Sequence, residues 1–132
     1  MPSDERPYEL NYDPHSGILR LRLTGFWTED TMRNFLGVFM PMISRLSLSH
    51  PDFMVLSDCR DYPVQSPAIG IAWARVLGAD PAVTVPYAVV VGSILNKLQA
   101  ERALVAPNVR IFTGMDDATA WLEAKRRDQA FE

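Results

Sequence analysis

The most constraining feature of the chain is a change of hydrophobic period near Phe26. Before it, apolar and polar residues alternate. "YELNYD" (8–13) sets Tyr8, Leu10 and Tyr12 against Glu9 and Asn11, the two-residue period of a half-buried strand. "ILRLRLTG" (18–25) does the same, with Leu19, Leu21 and Leu23 on one face and Arg20 and Arg22 on the other. "DPHSG" (13–17) between them is turn chemistry, so the two strands should form an antiparallel hairpin. After Phe26 the period becomes helical: Met32, Phe35, Leu36, Phe39, Ile43 and Leu46 fall on one stripe. Thr28 is the natural N-cap, with Glu29 and Asp30 in the first turn. Trp27 and Met32 stand at the positions of a hydrophobic staple. Pro41 has no proton for the Gly37 carbonyl, which predicts a kink or an early end.

The rest of the chain repeats a strand–helix rhythm. "DFMVLSD" (52–58) is a short continuous apolar run that stops at Asp58, as in a strand covered on both faces. Ser66 caps a helix whose first residue is Pro67, and Gly78 is its expected stop. "PYAVVVG" (86–92) is a second buried strand, and Ser93 caps "ILNKLQAERALV" (94–105). "NVRIFTG" (108–114) and "DDATAWLEAKRR" (116–127) complete the pattern, the helix starting on aspartates and ending on cations. The order β-β-α-β-α-β-α-β-α implies parallel βαβ units. The expected fold is α/β, one domain over residues 8–127, with a mixed five-stranded sheet whose first strand is antiparallel and with about four helices. Residues 1–7 and 128–132 read as loose tails.

Composition removes several functional classes. The formal net charge is −3, and the one basic cluster, Lys125-Arg126-Arg127, complements a helix C-terminus, so nucleic acid is not an expected partner. No apolar run approaches the length of a membrane span, and the acidic, Pro-bearing "MPSDERPYEL" is unlike a signal peptide. A single cysteine, Cys59, permits no internal disulfide and fits a reducing compartment. A cytoplasmic protein is the expectation. The two histidines, His15 and His50, and Cys59 have no metal-ligand spacing, and no Gly-rich phosphate loop is present. No metal or cofactor is expected.

Three local features, in order and spacing, resemble the SpoIIAA-like family, relatives of the STAS domains of anti-sigma-factor antagonists. They are Gly25, Trp27 and Thr28 at the opening of the first helix, "FMVLSD" closing at Asp58, and the C-terminal set Phe112, Ala118, Trp121 and Leu122. The resemblance covers roughly residues 8–124. It implies sequential strand order, helices gathered on one face of the sheet, and a regulatory or binding role. In the antagonists, an acidic residue and a phosphorylated serine open the helix after the strand-end aspartate, in "D-S-S-G". Aligned on Asp58, Ser66 falls on the acidic position and Pro67 on the serine, and the Ser-Ser-Gly is missing. The phospho-switch is therefore not carried over by the resemblance.

The candidate site is the stretch "SDCRDYPVQSPAIG" (57–70). Asp58, Arg60 and Asp61 crowd within four residues at the expected carboxyl end of a central strand, where open α/β sheets place ligands. Ser66 is accounted for by capping, worth about 1 kcal/mol over alanine. It is also a candidate phospho-acceptor, since a helix N-terminus welcomes phosphate. Cys59 has no base tied to it and reads as a small half-buried hydrophobe. If the helices share one face, the other carries apolar groups from "FMVL" and "AVVV", and an open apolar patch argues for self-association as a homodimer. The leading expectation is a non-enzymatic STAS-like regulatory module that binds a protein partner or itself through Asp58, Arg60, Asp61 and Ser66. A carrier of a small apolar ligand or lipid is the alternative, its pocket lined by Phe35, Phe39, Met40 and Met42. A third reading is an enzyme using the Asp58–Asp61 loop. A deep apolar cavity favours the carrier, and a flat patch between two copies favours the module.

Overall fold

The hairpin, the change of period and the strand–helix alternation stand where the patterning puts them. The computed structural model describes residues 6–79, 84–104 and 106–130. In chain order the elements are β1 (Tyr8–Asp13), β2 (Ile18–Thr24), α1 (Glu29–Ser49), β3 (Met54–Asp61), α2 (Pro67–Ala79), β4 (Tyr87–Val91), α3 (Ile94–Ala103), β5 (Val109–Phe112) and α4 (Met115–Ala130). The strands form one sheet in the order β1-β2-β3-β4-β5. β1 is antiparallel to β2 and every other pair is parallel.

The two faces of the sheet carry separate cores. On one, Leu19, Leu21, Leu23, Val55 and Val89 pack with Met32, Phe35, Phe39 and Ile43 of α1 and with Ile69 and Trp73 of α2. On the other, Ile18, Met54, Leu56, Ala88 and Val90 pack beneath Ala118 and Leu122 of α4. Helices therefore cover both faces, which corrects the expectation that they share one. The apolar patch from which self-association follows lies under α4. What stays open on that face is the polar part contributed by Glu9, Asn11, Arg20 and Arg22, all exposed.

Several boundaries move for identifiable reasons. Thr28 caps α1 as expected, its hydroxyl accepting from the Thr31 N–H at 3.2 Å. Pro41 neither ends the helix nor limits it: Pro41 is exposed, and burial of Phe39, Ile43 and Leu46 carries α1 through to Ser49. Gly78 lies inside α2, which continues to Ala79. α3 stops at Ala103. Arg6 and Pro7 are not loose. Their carbonyls accept from the Thr24 hydroxyl (2.9 Å), the Thr24 N–H (3.0 Å) and the Trp27 indole (3.2 Å). The remainder of that expected tail, residues 1–5, lies outside the described residues, and the C-terminal one is helical as far as Ala130.

Most consequential is β3. It does not stop at Asp58 but runs on to Asp61, because its far end still has partners. Asp58 and Cys59 pair with Val90 and Val91 of β4, and Asp61 pairs with Thr24 of β2. Between Arg22 and Thr24 the register slips, so that β3 spends one more residue than β2, the signature of a bulge. Gly92 answers this distortion. A Cβ there would stand 2.6 Å from the Arg60 carbonyl oxygen, so only glycine lets the chain turn from β4 to α3 beneath the bulged strand.

Candidate functional site

β3 alternates side chains between the two faces, and this separates the expected site residues. Asp58 points to the open polar face, where it lines a shallow cleft with Glu9, Asn11, Arg20, Arg22 and Met115. The Arg60 guanidinium grips it through two bonds of 2.9 Å, Nε to Oδ1 and Nη2 to Oδ2. The bulge brings Asp61 round to the same side, and Arg22 bridges to it at 3.2 Å. The hydrogen bond from Arg60 holds the Asp58 carboxyl below the usual carboxylate range. A proton-donating carboxylate needs the opposite shift, so Asp58 is not poised as a general acid. Asp58, Arg60 and Asp61 thus form a mixed-charge strip with Arg22, and Ser66 is no part of it.

The other face of β3 carries Ser57 and Cys59, and these form the floor of an apolar cavity of about 260 Å³. Tyr87, Val89 and Val91 of β4 complete the floor; Gly70, Trp73 and Leu77 of α2 make one wall. The facing wall is α3, through Asn96, Gln99, Ala100 and Ala103, and the loop from Tyr62 to Ser66 forms part of the rim. Among the described residues no charged side chain lines it.

α3 contributes little to the core beside the cavity. α3 buries no residue, and its large apolar side chains Ile94 (72% exposed), Leu95 (64%) and Leu98 (50%) face solvent while the amides of Asn96 and Gln99 line the cavity. The helix is held instead by the Ser93 cap, which accepts from the Asn96 N–H at 3.1 Å, and by half-buried Ala100 and Leu104.

The rim is braced. Gln65 accepts from the Trp27 N–H (2.7 Å) and donates to the carbonyls of Gly25 (3.0 Å) and Pro63 (2.7 Å). That ties the loop after β3 to the entrance of α1. The Tyr62 hydroxyl accepts from the Trp73 indole at 3.0 Å, fixing the ring that flanks the mouth. Ser66 opens α2 through its carbonyl, which accepts from the Gly70 N–H at 3.0 Å. Its exposed hydroxyl caps nothing among the described residues, against the expectation of a side-chain cap.

Ser57 is the buried polar side chain of the core, 1% exposed, with its hydroxyl 3.3 Å from the Cys59 sulfur. The Tyr87 hydroxyl stands beside it. Burial pushes the Cys59 thiol up to about 12, so it is protonated at neutral pH and a poor nucleophile. Burial also raises Tyr62 and Tyr87 far above the ordinary phenol, leaving both neutral.

The pocket-lining expectation for the first helix fails. Phe35 and Phe39 are fully buried core, their rings stacked 5.0 Å apart, and neither they nor Met40 and Met42 line the cavity. Sequence reasoning passed over Ser57, Tyr62, Trp73, Asn96 and Gln99. One signal was present: a serine within the apolar run "FMVLSDC", since a strand interior rarely buries a hydroxyl without a task for it. No described helix is long and apolar enough to cross a membrane, and the described residues hold no cluster of metal-ligating side chains. No protein-family description matches the chain, and a search of curated proteins found no match either.

Proposed function

We propose that this domain is a non-enzymatic binding module that takes a small, mainly apolar ligand into the cavity between α2 and α3. The observation that carries this reading is the cavity itself. It is a concave, apolar space with a few convergent polar groups, the usual character of a small-molecule site. A folded domain normally fills such space with side chains, because each void forfeits dispersion contacts. Here the chain offers Ile94, Leu95 and Leu98, large enough to fill it, and turns them outward. The volume of about 260 Å³ is just below the roughly 300–1,000 Å³ of drug-sized sites. That suits a molecule of one or two rings better than a long-chain lipid. The resemblance to SpoIIAA-like domains supports a binding rather than a catalytic role. The protonated Cys59 and the depressed Asp58 add nothing that would run acid, base or nucleophilic chemistry.

Gly70 supplies the test. It lines the cavity, and a Cβ built there meets nothing within 4 Å. Gly70→Phe should occupy the cavity with the fold intact. In a thermal-shift screen of neutral one- and two-ring compounds, hits should raise the Tm of the wild type and leave Gly70→Phe unmoved. Equal shifts in both proteins would place binding elsewhere and sink the reading.

A further inference from the structure

Resting on the cavity as a ligand site, we infer that its occupant is an uncharged molecule carrying hydrogen-bond acceptors, such as a ring-borne carbonyl, received by donor hydrogens that the protein leaves unspent. The exclusion of charge follows from the lining. Of the described residues that form it, none is Asp, Glu, Lys, Arg or His. A carboxylate or ammonium entering it would surrender hydration to a site with no counter-ion, which costs several kcal/mol or forces neutralisation.

The preference for acceptors follows from counting hydrogens. Ser57, Cys59 and Tyr87 each carry one donor hydrogen, on oxygen or sulfur. One hydrogen bond joins two of them, Ser57 with Cys59 at 3.3 Å, and the Tyr87 hydroxyl stands beside Ser57. Even with a bond between Ser57 and Tyr87, only two of the three hydrogens are used, whichever way the bonds run. The third has no acceptor among the described residues, and all three side chains line the cavity. Tyr62 repeats the situation at the rim. Its oxygen already accepts the Trp73 indole N–H, and its own hydrogen has no acceptor among the described residues. Two donors are thus left over, one on the floor and one at the mouth. A ligand that covers these donors without offering an acceptor leaves them buried and unpaired, which is costly, and one that brings acceptors avoids that cost. Gln65 does not alter the count, since its amide is spent on Gly25, Trp27 and Pro63. Asn96 and Gln99 can donate as well as accept, and they favour no sign.

Three probes of one shape separate the possibilities: 2-acetylnaphthalene, 2-isopropenylnaphthalene, in which CH₂ replaces the carbonyl oxygen, and 2-naphthoate. Titrated into the wild-type domain at neutral pH, the ketone should bind about fivefold to tenfold tighter than the alkene, the worth of one hydrogen bond. The naphthoate should bind weakest. Ser57→Ala and Tyr62→Phe should each shrink the ketone's advantage and leave alkene binding unchanged. The wild-type series decides the question even if a variant folds poorly. Equal binding of ketone and alkene, or tightest binding by the naphthoate, would overturn this inference and leave the cavity as a ligand site. Failure of all three to bind would overturn the inference and count against the cavity reading as well.

Discussion

Two helices lie on the same face of the same sheet and treat it in opposite ways. α1 drives five side chains, Met32, Phe35, Phe39, Ile43 and Leu46, into the core. Around its entrance the Trp27 ring lies 5.2 Å from Phe35, 5.1 Å from Tyr62 and 5.9 Å from Tyr8. α3 drives in none, and a cavity lies beneath it. The contrast divides labour: the α1 end holds the fold together, and the α3 end leaves room for something else. Apolar burial is the main driving force for folding. A helix that forgoes it, with Ile, Leu and Leu available, is held near the low end of local stability, where binding elements are drawn from.

Substitutions should reveal the division. Phe35→Ala removes a fully buried ring that contacts Tyr8, Trp27, Phe39 and Trp73. It should cost about 3–5 kcal/mol, read as a lower denaturation midpoint. A loss below about 1 kcal/mol would mean that the α1 end is not the tightly packed one. Gly70→Ala, beside the cavity, should instead stabilise by about 0.5–1 kcal/mol, since alanine suits a helix interior better and the new methyl meets open space. A loss there would show that the space is not available. Leu95→Ser and Leu98→Ser should change stability by no more than about 0.5 kcal/mol, as exposed positions do. A larger loss would mean that α3 turns these leucines inward in solution and closes the cavity.

The charged strip on the opposite face gives a pH signature separate from the cavity. The folded-state value of Asp58 is depressed by Arg60, so its contribution is present at neutral pH and is lost as pH falls through the carboxylate range, near about 4. Asp58→Asn should therefore be less stable than the wild type near pH 7, with the gap narrowing toward about pH 3. Urea midpoints at the two pH values measure it. A gap that widens on acidification would contradict the assignment. Arg60→Ala should leave ligand binding in the cavity unchanged, because its guanidinium lies on the far face of β3.

The fold was legible because its signals are local and repeated. Alternation marks β1 and β2, a helical stripe marks α1, and Thr28 and Ser93 cap as their chemistry requires. The site was less legible because it depends on parity and register. The expectation grouped Asp58, Arg60, Asp61 and Ser66 by nearness along the chain. In the fold β3 continues past Asp58, alternation sends Ser57 and Cys59 to one face and Asp58 to the other, and a bulge places Asp61 beside Arg22. Nothing in "DCRD" announces that bulge; Gly92, 32 positions beyond Arg60 and pressed against its carbonyl, is the one residue that records it. The cavity was equally hidden. α3 carries no clear apolar stripe, and nothing in its sequence says that Asn96 and Gln99 line the cavity while its leucines face solvent.

The chain's three tryptophans stand at graded distances from the cavity, so their indole N–H signals in an NMR titration test the account most directly. Trp27 donates to the Pro7 and Thr24 carbonyls at the α1 end, Trp73 donates to Tyr62 at the cavity wall, and Trp121 packs beside Phe112 on the opposite face. On addition of 2-acetylnaphthalene the Trp73 signal should shift most and saturate, that of Trp27, whose ring lies 6.1 Å from Trp73, should follow by less, that of Trp121 should stay in place, and Gly70→Phe should abolish the response. Saturable movement of Trp121 with Trp73 unmoved, or an undiminished Trp73 shift in Gly70→Phe, would contradict the assignment of the cavity between α2 and α3 as the binding site.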